Sequence, residues 1–260
     1  MIQPARPLLA VLGADVSGSA SPAMHCAAAR ALGLTLDYLA LSCPEPRDFR
    51  DAIEGLIRLG ARGANVTAPY KEAAVPLTER TKRAEEIGAV NTITWDAQHA
   101  VGDNTDGPGF LAWLEELPND LLERVAVLGA GGAARGVLWA LRRRGVGHVV
   151  LCARSHGPSL GADRRTGLDP QPDATLFIST LPPMAAPVAE KLLHPDASLI
   201  DLVYRPDATP PPLVRSAVER GLLAMDGRRL LAEQGAISFS HWLEAELSPV
   251  RKVMIQAMSV

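Results

Sequence analysis

Long apolar runs are missing from this sequence. The first hydrophobic stretch, Pro7 to Leu12, stops at Gly13 and is too short for the core of a secretory signal. No later run approaches the ~20 apolar residues that a membrane-spanning helix needs. Blocks of basic charge are missing too. The densest cluster, Arg142, Arg143 and Arg144, falls at the end of a predicted helix, where cations complement the helix dipole, and the formal net charge is -3. A nucleic-acid partner would need a basic face, so none is expected. Cysteine is scarce: Cys26, Cys43 and Cys152 are odd in number and lack metal-ligand spacing. They read as small thiols of a reduced protein rather than as a disulfide framework or a metal site. No repeat or low-complexity tract is visible. With 47% hydrophobic and 21% charged residues, the chain has ordinary globular composition, which argues against disorder. A soluble cytoplasmic protein with no metal, membrane or nucleic-acid partner is therefore expected.

Its 260 residues suffice for one large domain or two modest ones. Leu8 to Leu12 reads as a buried strand ended by Gly13. Ser21 reads as an N-cap with Pro22 at the first helical position of an alanine-rich helix. Asp37 to Leu41 suggests a second strand. Asp48 to Leu59 has helical spacing with Phe49, Ile53, Leu56 and Ile57 on one face, and Ala64 to Thr67 suggests a third strand before Pro69. This alternation predicts a parallel α/β sheet. A second α/β unit begins near Leu121: a strand over Val125 to Leu128, a turn over Gly129 to Gly132, a helix over Ala133 to Arg144, and a strand from His148 to Ala153. Further strands are predicted over Leu176 to Ser179 and Ser198 to Val203, and the chain turns helical from Leu230. The expected architecture is two α/β domains with a helical C-terminal segment.

Gly129-Ala130-Gly131-Gly132-Ala133-Ala134 matches the G-x-G-x-x-A form of the dinucleotide fingerprint, in the strand–turn–helix context that it requires. Gly129 permits the tight turn, Gly131 lets a pyrophosphate approach the backbone, and Ala134 allows close helix–strand packing. The free N–H groups of the first helical turn, from Gly132 and Ala133, then meet the anion. The second strand of such a fold ends in the residue that reads the adenosine ribose. An acid there suits the 2′-hydroxyl of NAD, an arginine the 2′-phosphate of NADP. Arg154 stands there, followed by Ser155 and His156, which favours NADP. An exposed loop arginine is the plain alternative.

In the first half, Asn65-Val66-Thr67-Ala68-Pro69-Tyr70-Lys71 puts polar residues just past a strand end, where ligands of open α/β sheets bind. Asn91 and Asp106 stand in similar settings between apolar segments. Reducing a ketone needs a proton donor for the developing alkoxide, and the reverse direction needs a base. A lysine can serve both, and a carboxylate beside it would orient it while raising its pKa. Gln234 shares a helical face with Leu230, Leu231 and Ile237, an odd place for an amide without a partner, although a buried structural glutamine would read the same way.

Together, these segments resemble the shikimate dehydrogenase family. The motifs are Ser19-Ala20-Ser21-Pro22, Asn65-Val66-Thr67-x-Pro69-x-Lys71, Gly88-Ala89-Val90-Asn91-Thr92, Asn104-Thr105-Asp106-Gly107 and the turn from Gly129. Asp201-Leu202-Val203-Tyr204-x-Pro206 and Gln234-Gly235-Ala236-x-x-Phe239-x-x-Trp242 follow, in family order over nearly the whole chain. The resemblance implies a substrate-binding domain over 1–105, a Rossmann-type NADP-binding domain over 106–226, and C-terminal helices over 227–260 that return to the first domain. It further implies reversible NADPH-dependent reduction of 3-dehydroshikimate to shikimate, by a monomer or homodimer. Lys71 and Asp106 would be the catalytic pair, and Ser19 and Ser21 would hold the substrate carboxylate. Thr67, Asn91, Asp106 and Gln234 would bond the ring hydroxyls, with Tyr204 near the carboxylate. Gly129, Ala130, Gly131, Gly132, Ala133, Arg154, Thr180 and Gly227 would contact NADP.

Ser21 as a simple N-cap competes with its proposed role, whereas Ser19 has no evident structural reason. Four departures from the family pattern stand out. Gly18 precedes Ser19 where histidine is usual, Pro183 replaces a glycine in the Thr180 loop, and Gly227-Arg228-Arg229-Leu230-Leu231 lacks the usual glycine before a Met-Leu pair. The stretch from Ser155 to Pro172 is short and is expected to lack a helix and its neighbouring strand. Two alternatives stay open: a sister enzyme for quinate or an amino-substituted relative, against which both serines speak, and a catalytically weak shikimate-binding protein, which the changes on the cofactor side motivate.

Overall fold

A computed structural model describes residues 6–95, 99–154 and 158–258. In chain order, the first part runs β1 (Leu8–Gly13), α1 (Ser21–Ala31), β2 (Asp37–Ser42), α2 (Pro46–Arg58), β3 (Gly63–Val66), β4 (Glu79–Arg80), α3 (Lys82–Ile87), β5 (Thr92–Trp95) and β6 (Ala100–Asp103). There follow α4 (Asp106–Leu114), β7 (Val125–Leu128), α5 (Gly132–Arg144), β8 (Val149–Cys152), β9 (Arg164–Thr166), β10 (Leu176–Ser179), α6 (Ala186–Glu190), β11 (Ser198–Asp201), α7 (Pro212–Glu219) and β12 (Ala224–Asp226). Two helices, α8 (Arg228–Leu243) and α9 (Leu247–Met258), close the chain. The elements form two compact units, one of Met1–Thr105 with Leu231–Val260 and one of Asp106–Leu230. No helix of the described residues is long and apolar enough to cross a membrane.

The first unit holds a six-stranded sheet in the order β2-β1-β3-β5-β6-β4. Its β2-β1-β3 part is parallel, as the alternating pattern predicts, but β5 runs antiparallel to both β3 and β6. The sheet is therefore mixed, because β5 and β6 pair directly, with Trp95 opposite Ala100, instead of crossing over through a helix. Ala10 and Leu12 of β1, Ala64 and Val66 of β3 and Ile93 of β5 pack with Phe49, Ile53 and Leu56 of α2. Ile57, expected on that face, is 46% exposed, so the buried stripe of α2 is narrower than its spacing suggested. Pro46 in the first turn and the Asp48 carboxylate, which accepts the Glu45 N–H at 3.0 Å, start this helix.

The C-terminal helices complete the first unit. α9 packs on α1, and Gly235 of α8 lies so close to Met24 that a Cβ there would meet its Cε at 2.4 Å. The Trp242 indole crosses the sheet and donates to the Ile93 carbonyl at 3.0 Å. It sits over Gly63, where an added Cβ would come within 2.1 Å of the indole nitrogen, so the missing side chain at Gly63 makes room for Trp242. Arg251 of α9 donates to both carboxylate oxygens of Glu233, which is 2% exposed, at 2.6 and 2.9 Å.

The second unit is a parallel sheet in the order β12-β11-β10-β7-β8-β9, the doubly wound dinucleotide-binding arrangement. Strand alternation divides its core. Val125, Val127, Leu176 and Ile178 face α4 and α5, while Ala126, Leu128 and Phe177 face α6 and α7. The strand expected to be missing between Ser155 and Pro172 is present: β9 extends the sheet beside β8, with Leu151 in register with Arg165. Among the described residues between β8 and β9 there is no helix.

Candidate functional site

In the first unit, topology brings one end of the sheet together. Residues leaving the carboxyl ends of the parallel strands β1 and β3 meet the start of β5 and the exit of β6, because these two strands alternate in direction. After β1, the Asp15 carboxylate accepts from the Ser17 N–H at 3.0 Å and its hydroxyl at 2.7 Å, and Ser19 N–H bonds the Val16 carbonyl at 3.0 Å. The two bonds from Ser17 hold Asp15 below the usual carboxylate range. Gly18 sits in this turn. The structure revises the roles of the two serines at the helix start. Ser21 is the first helical residue, not the cap, and is 4% exposed. Ala20 occupies the cap position, and Ser19 Oγ accepts the Ser21 N–H at 3.3 Å, so Ser19 does have a structural reason.

After β3, Thr67 N–H bonds the Leu12 carbonyl at 2.8 Å, and Tyr70 N–H returns to the Thr67 carbonyl at 3.0 Å. Tyr70 is anchored by its hydroxyl on the Cys43 carbonyl at 2.5 Å and by stacking on Phe49, with ring centroids 4.5 Å apart. Half-buried Lys71 follows, and its own carbonyl accepts the Val90 N–H at 2.8 Å, which delivers Asn91 to the same end of the sheet.

Asn91 is 2% exposed and fully engaged. Its Oδ1 accepts from Thr105 N–H at 2.7 Å and Thr92 Oγ1 at 3.1 Å, and its Nδ2 donates to Thr105 Oγ1 at 3.0 Å and Gln234 Oε1 at 3.4 Å. Gln234, 7% exposed, turns its Nε2 back to the Leu231 carbonyl at 2.9 Å. Beneath these amides lie Asn65, Thr92, Thr105 and Ser238, which sequence reasoning gave no role. Asn65 donates to the Asn91 carbonyl at 3.2 Å, Thr92 Oγ1 at 3.2 Å and Ser238 Oγ at 3.0 Å, and receives the Tyr38 hydroxyl at 2.7 Å. A polar side chain inside the otherwise apolar β3 was the available signal.

The turn after β6 is pinned along its length. Burial works against the charge of Asp103, but the Arg83 guanidinium, the Thr81 hydroxyl at 2.6 Å and the Asn104 N–H at 2.8 Å outweigh it and keep the carboxyl below its ordinary range. Asn104 Nδ2 donates to the Ala89 carbonyl at 3.0 Å. The residue that follows Thr105 is Asp106, 6% exposed, which opens α4 in the second unit.

His25 is a second group that the sequence did not single out. It lies one turn after Ser21 on α1, is 0% exposed, and neither ring nitrogen has a hydrogen-bond partner among the described residues. Its ring stacks on Tyr38 at 4.5 Å between centroids, with Trp242 at 5.7 Å and Phe239 at 6.0 Å. Burial in this aromatic cage holds its pKa down to about 3.

In the second unit, Gly129 has φ +102, a left-handed conformation, and a Cβ there would meet Thr180 Oγ1 at 2.5 Å. Thr180 closes the turn from the other side, its hydroxyl donating to the Leu128 carbonyl at 2.8 Å. Gly131 differs: it caps α5 with an extended backbone and no side-chain bond, and a Cβ there would meet no atom of the described residues within 4 Å. Packing among the described residues does not require a glycine at that position. Gly132 and Ala133 form the first turn of α5, whose N–H groups have no intrahelical acceptor. A cavity of about 570 Å³ opens here, walled by Gly129, Ala130, Gly131, Ala153 and exposed Arg154, with Leu168 and Leu181 as apolar additions. Ser155 and His156 lie outside the described residues. Arg164 and Arg165 do not line the cavity: Arg164 Nη2 donates to Gln171 Oε1 at 3.0 Å, and Arg165 Nη1 to the Pro158 carbonyl at 2.5 Å.

Tyr204 is half-buried just past β11. Gly227 is buried against β11's exit, where a Cβ would come within 2.1 Å of the Leu202 carbonyl, so packing alone demands it. Burial raises the Asp201 carboxyl to about 6; its in-register neighbour Asp226 pushes the same way, and bonds from Val203 N–H and Ser179 oppose it.

Residues 11–93 match the model of the shikimate dehydrogenase substrate binding domain. Over 96% of this chain and 94% of its own length, the NADP(+) shikimate dehydrogenase of Synechocystis sp. is 37% identical, and that of Moorella thermoacetica is 39% identical over 96% and 93%. Among solved structures, shikimate 5-dehydrogenase from Thermus thermophilus, in complex with NADP(H) and shikimate, superposes with a TM-score of 0.80 at 33% identity, covering 96% of this chain and 99% of that one. Similarity of this extent through both units has one reading: the chain belongs to the shikimate dehydrogenase family.

Proposed function

We propose that this chain catalyses the reversible NADPH-dependent reduction of 3-dehydroshikimate to shikimate, with the first unit taking the substrate and the second the cofactor. The observation that carries this reading is similarity to NADP(+) shikimate dehydrogenases along more than nine-tenths of both chains. The second unit fits the cofactor on its own geometry. The open space over Gly131, the uncapped start of α5 and the adjoining Arg154 suit a pyrophosphate and a 2′-phosphate. This fit, with β9 in place, counts against a protein that retained substrate binding alone.

The turn from Gly129 and Arg154 would hold NADP, which would supply the hydride for the reduction and take it up in the oxidation. Lys71 Nζ gives a proton to the carbonyl oxygen as it becomes an alkoxide and takes it back in the oxidation, and Asp106, the second catalytic residue, accepts from a ring hydroxyl. Thr67, Asn91 and Gln234 hold further hydroxyls, and Ser19 and Ser21 the carboxylate. The amides offer both donors and acceptors, the chemistry a polyol pairs with, and they would exchange bonds to one another for bonds to ring hydroxyls. Three thiols without disulfides among the described residues agree with a cytoplasmic setting, and a monomer or homodimer is expected.

The test is spectrophotometric: shikimate and quinate, each with NADP and NAD. Turnover should be greatest with shikimate and NADP and should rise with pH in the oxidative direction, which releases a proton. A folded protein that binds shikimate but turns over neither cofactor would replace the enzyme reading with a binding one.

A further inference from the structure

Ser238 lies four residues after Gln234 on α8 and is 0% exposed. Its hydroxyl is the point where this helix meets three parts of the sheet. Oγ donates to the Gln234 carbonyl one turn back at 3.0 Å and receives Asn65 Nδ2 of β3 at 3.0 Å. It lies 2.9 Å from Thr92 Oγ1 of β5 and 3.2 Å from Thr105 Oγ1 after β6. A hydroxyl has one proton and two lone pairs, so four neighbours saturate it and leave little freedom to shift. The bonds that the Gln234 side chain makes to the sheet end are longer: Asn91 Nδ2 and Thr105 Oγ1, the latter also a neighbour of Ser238, each reach its Oε1 at 3.4 Å. At that length a small rotation or lift of α8 breaks them, because hydrogen bonds beyond about 3.5 Å have no directional hold.

We infer that Ser238 is a positioning residue: its hydroxyl sets the depth and rotation of α8 against the sheet, and so the meeting of the Gln234 and Asn91 amides. This rests on the proposed function, in which those two amides bind ring hydroxyls. Ser238 itself touches no substrate. It acts through Gln234, which gives the effect a signature that plain loss of packing lacks.

The experiment is a double-mutant cycle in the full-length protein, with Ser238→Ala, Gln234→Ala and the pair, each assayed for shikimate KM, NADP KM and kcat. Ser238→Ala should raise the shikimate KM about tenfold, roughly the loss of one neutral hydrogen bond, and leave the NADP KM unchanged. In the Gln234→Ala background the same change should add nothing further, since groups acting through one another are not additive. Equal factors on both backgrounds, or an unchanged shikimate KM in folded Ser238→Ala, would overturn the inference. If the alanine variant does not fold, Ser238→Cys leaves no cavity, being slightly larger than serine, and has a much weaker donor. It should show the raised KM, and a wild-type KM there refutes the role equally. Failure of the underlying reading looks different: the wild-type protein itself would then show no shikimate-dependent turnover.

Discussion

Replacing His25 with phenylalanine should flatten the acid limb of the stability profile. In the folded protein the imidazole is 0% exposed, without a hydrogen-bond partner among the described residues, and caged by Tyr38, Phe239 and Trp242, so its protonated form is shut off from bulk solvent and faces no described acceptor. The pKa falls from 6.5 to about 3 for that reason. The unfolded chain therefore binds a proton between these values that the folded chain refuses. The stabilisation is fully present above pH 6.5 and is lost as pH falls towards 3. At about 1.36 kcal/mol for each pKa unit, the full linkage is up to about 5 kcal/mol, and about 2 kcal/mol of it is lost between about pH 7 and pH 5.

Urea unfolding of wild type and His25→Phe at about pH 7, 6 and 5 measures this directly. Phenylalanine is larger, and overpacking costs roughly 1–3 kcal/mol, against which stands the removal of an unsatisfied buried N–H. Both effects are offsets that do not change with pH. The informative quantity is the slope: the wild type should lose about 2 kcal/mol more than the variant from about pH 7 to pH 5. Parallel curves would mean that the charged imidazole finds water or an acceptor without unfolding, and the cage argument would be wrong.

Lys71→Ala should lower kcat by ~10²–10⁴ with a smaller effect on KM, as for loss of a general acid and base; a change in KM alone would make Lys71 a binding residue. Arg154→Ala should weaken NADPH about 10- to 150-fold and leave NADH nearly unchanged, the value of a charge-assisted phosphate contact. Because Arg164 and Arg165 are engaged by Gln171 and Pro158, little compensation is expected, and equal loss for both cofactors would reassign Arg154 to the fold. Gly131→Ala should leave the melting temperature unchanged, since its Cβ would meet no described residue within 4 Å, yet weaken NADP by about tenfold or more. Gly129→Ala, at φ +102 and facing Thr180, should instead cost roughly 1–3 kcal/mol of stability, read by thermal melting.

Elements with strong local signals were legible in the sequence. β1, β7 and β10 are short apolar runs ended by turns, and α5 is bounded by glycines, so their positions follow from local chemistry. β9 was not legible. Arg164-Arg165-Thr166 has no apolar content, and it is a strand because β8 offers it an unpaired edge. The mixed character of the first sheet was hidden for a related reason. β3, β5 and β6 are four residues each, and their direction is set by pairing partners rather than by their own composition.

The candidate site divides along the same line. Motif residues such as Lys71, Asn91 and Gln234 carry distinctive chemistry at recognisable spacings, whereas the groups that hold them are ordinary serines, threonines and an asparagine. In a sequence, each of these has a local explanation, because short polar side chains readily bond their own backbone as caps and turns. Ser21 was read that way, although Ser19 is the residue whose oxygen accepts the orphan N–H. Ser238 does bond its own helix, at the Gln234 carbonyl, but its other partners lie 133, 146 and 173 residues away, at Thr105, Thr92 and Asn65. Those contacts exist only once α8 has docked on β3 and β5, a step that depends on Gly63 making room for Trp242. The amides could be recognised by type, but their orientation is a property of the packed core beneath them.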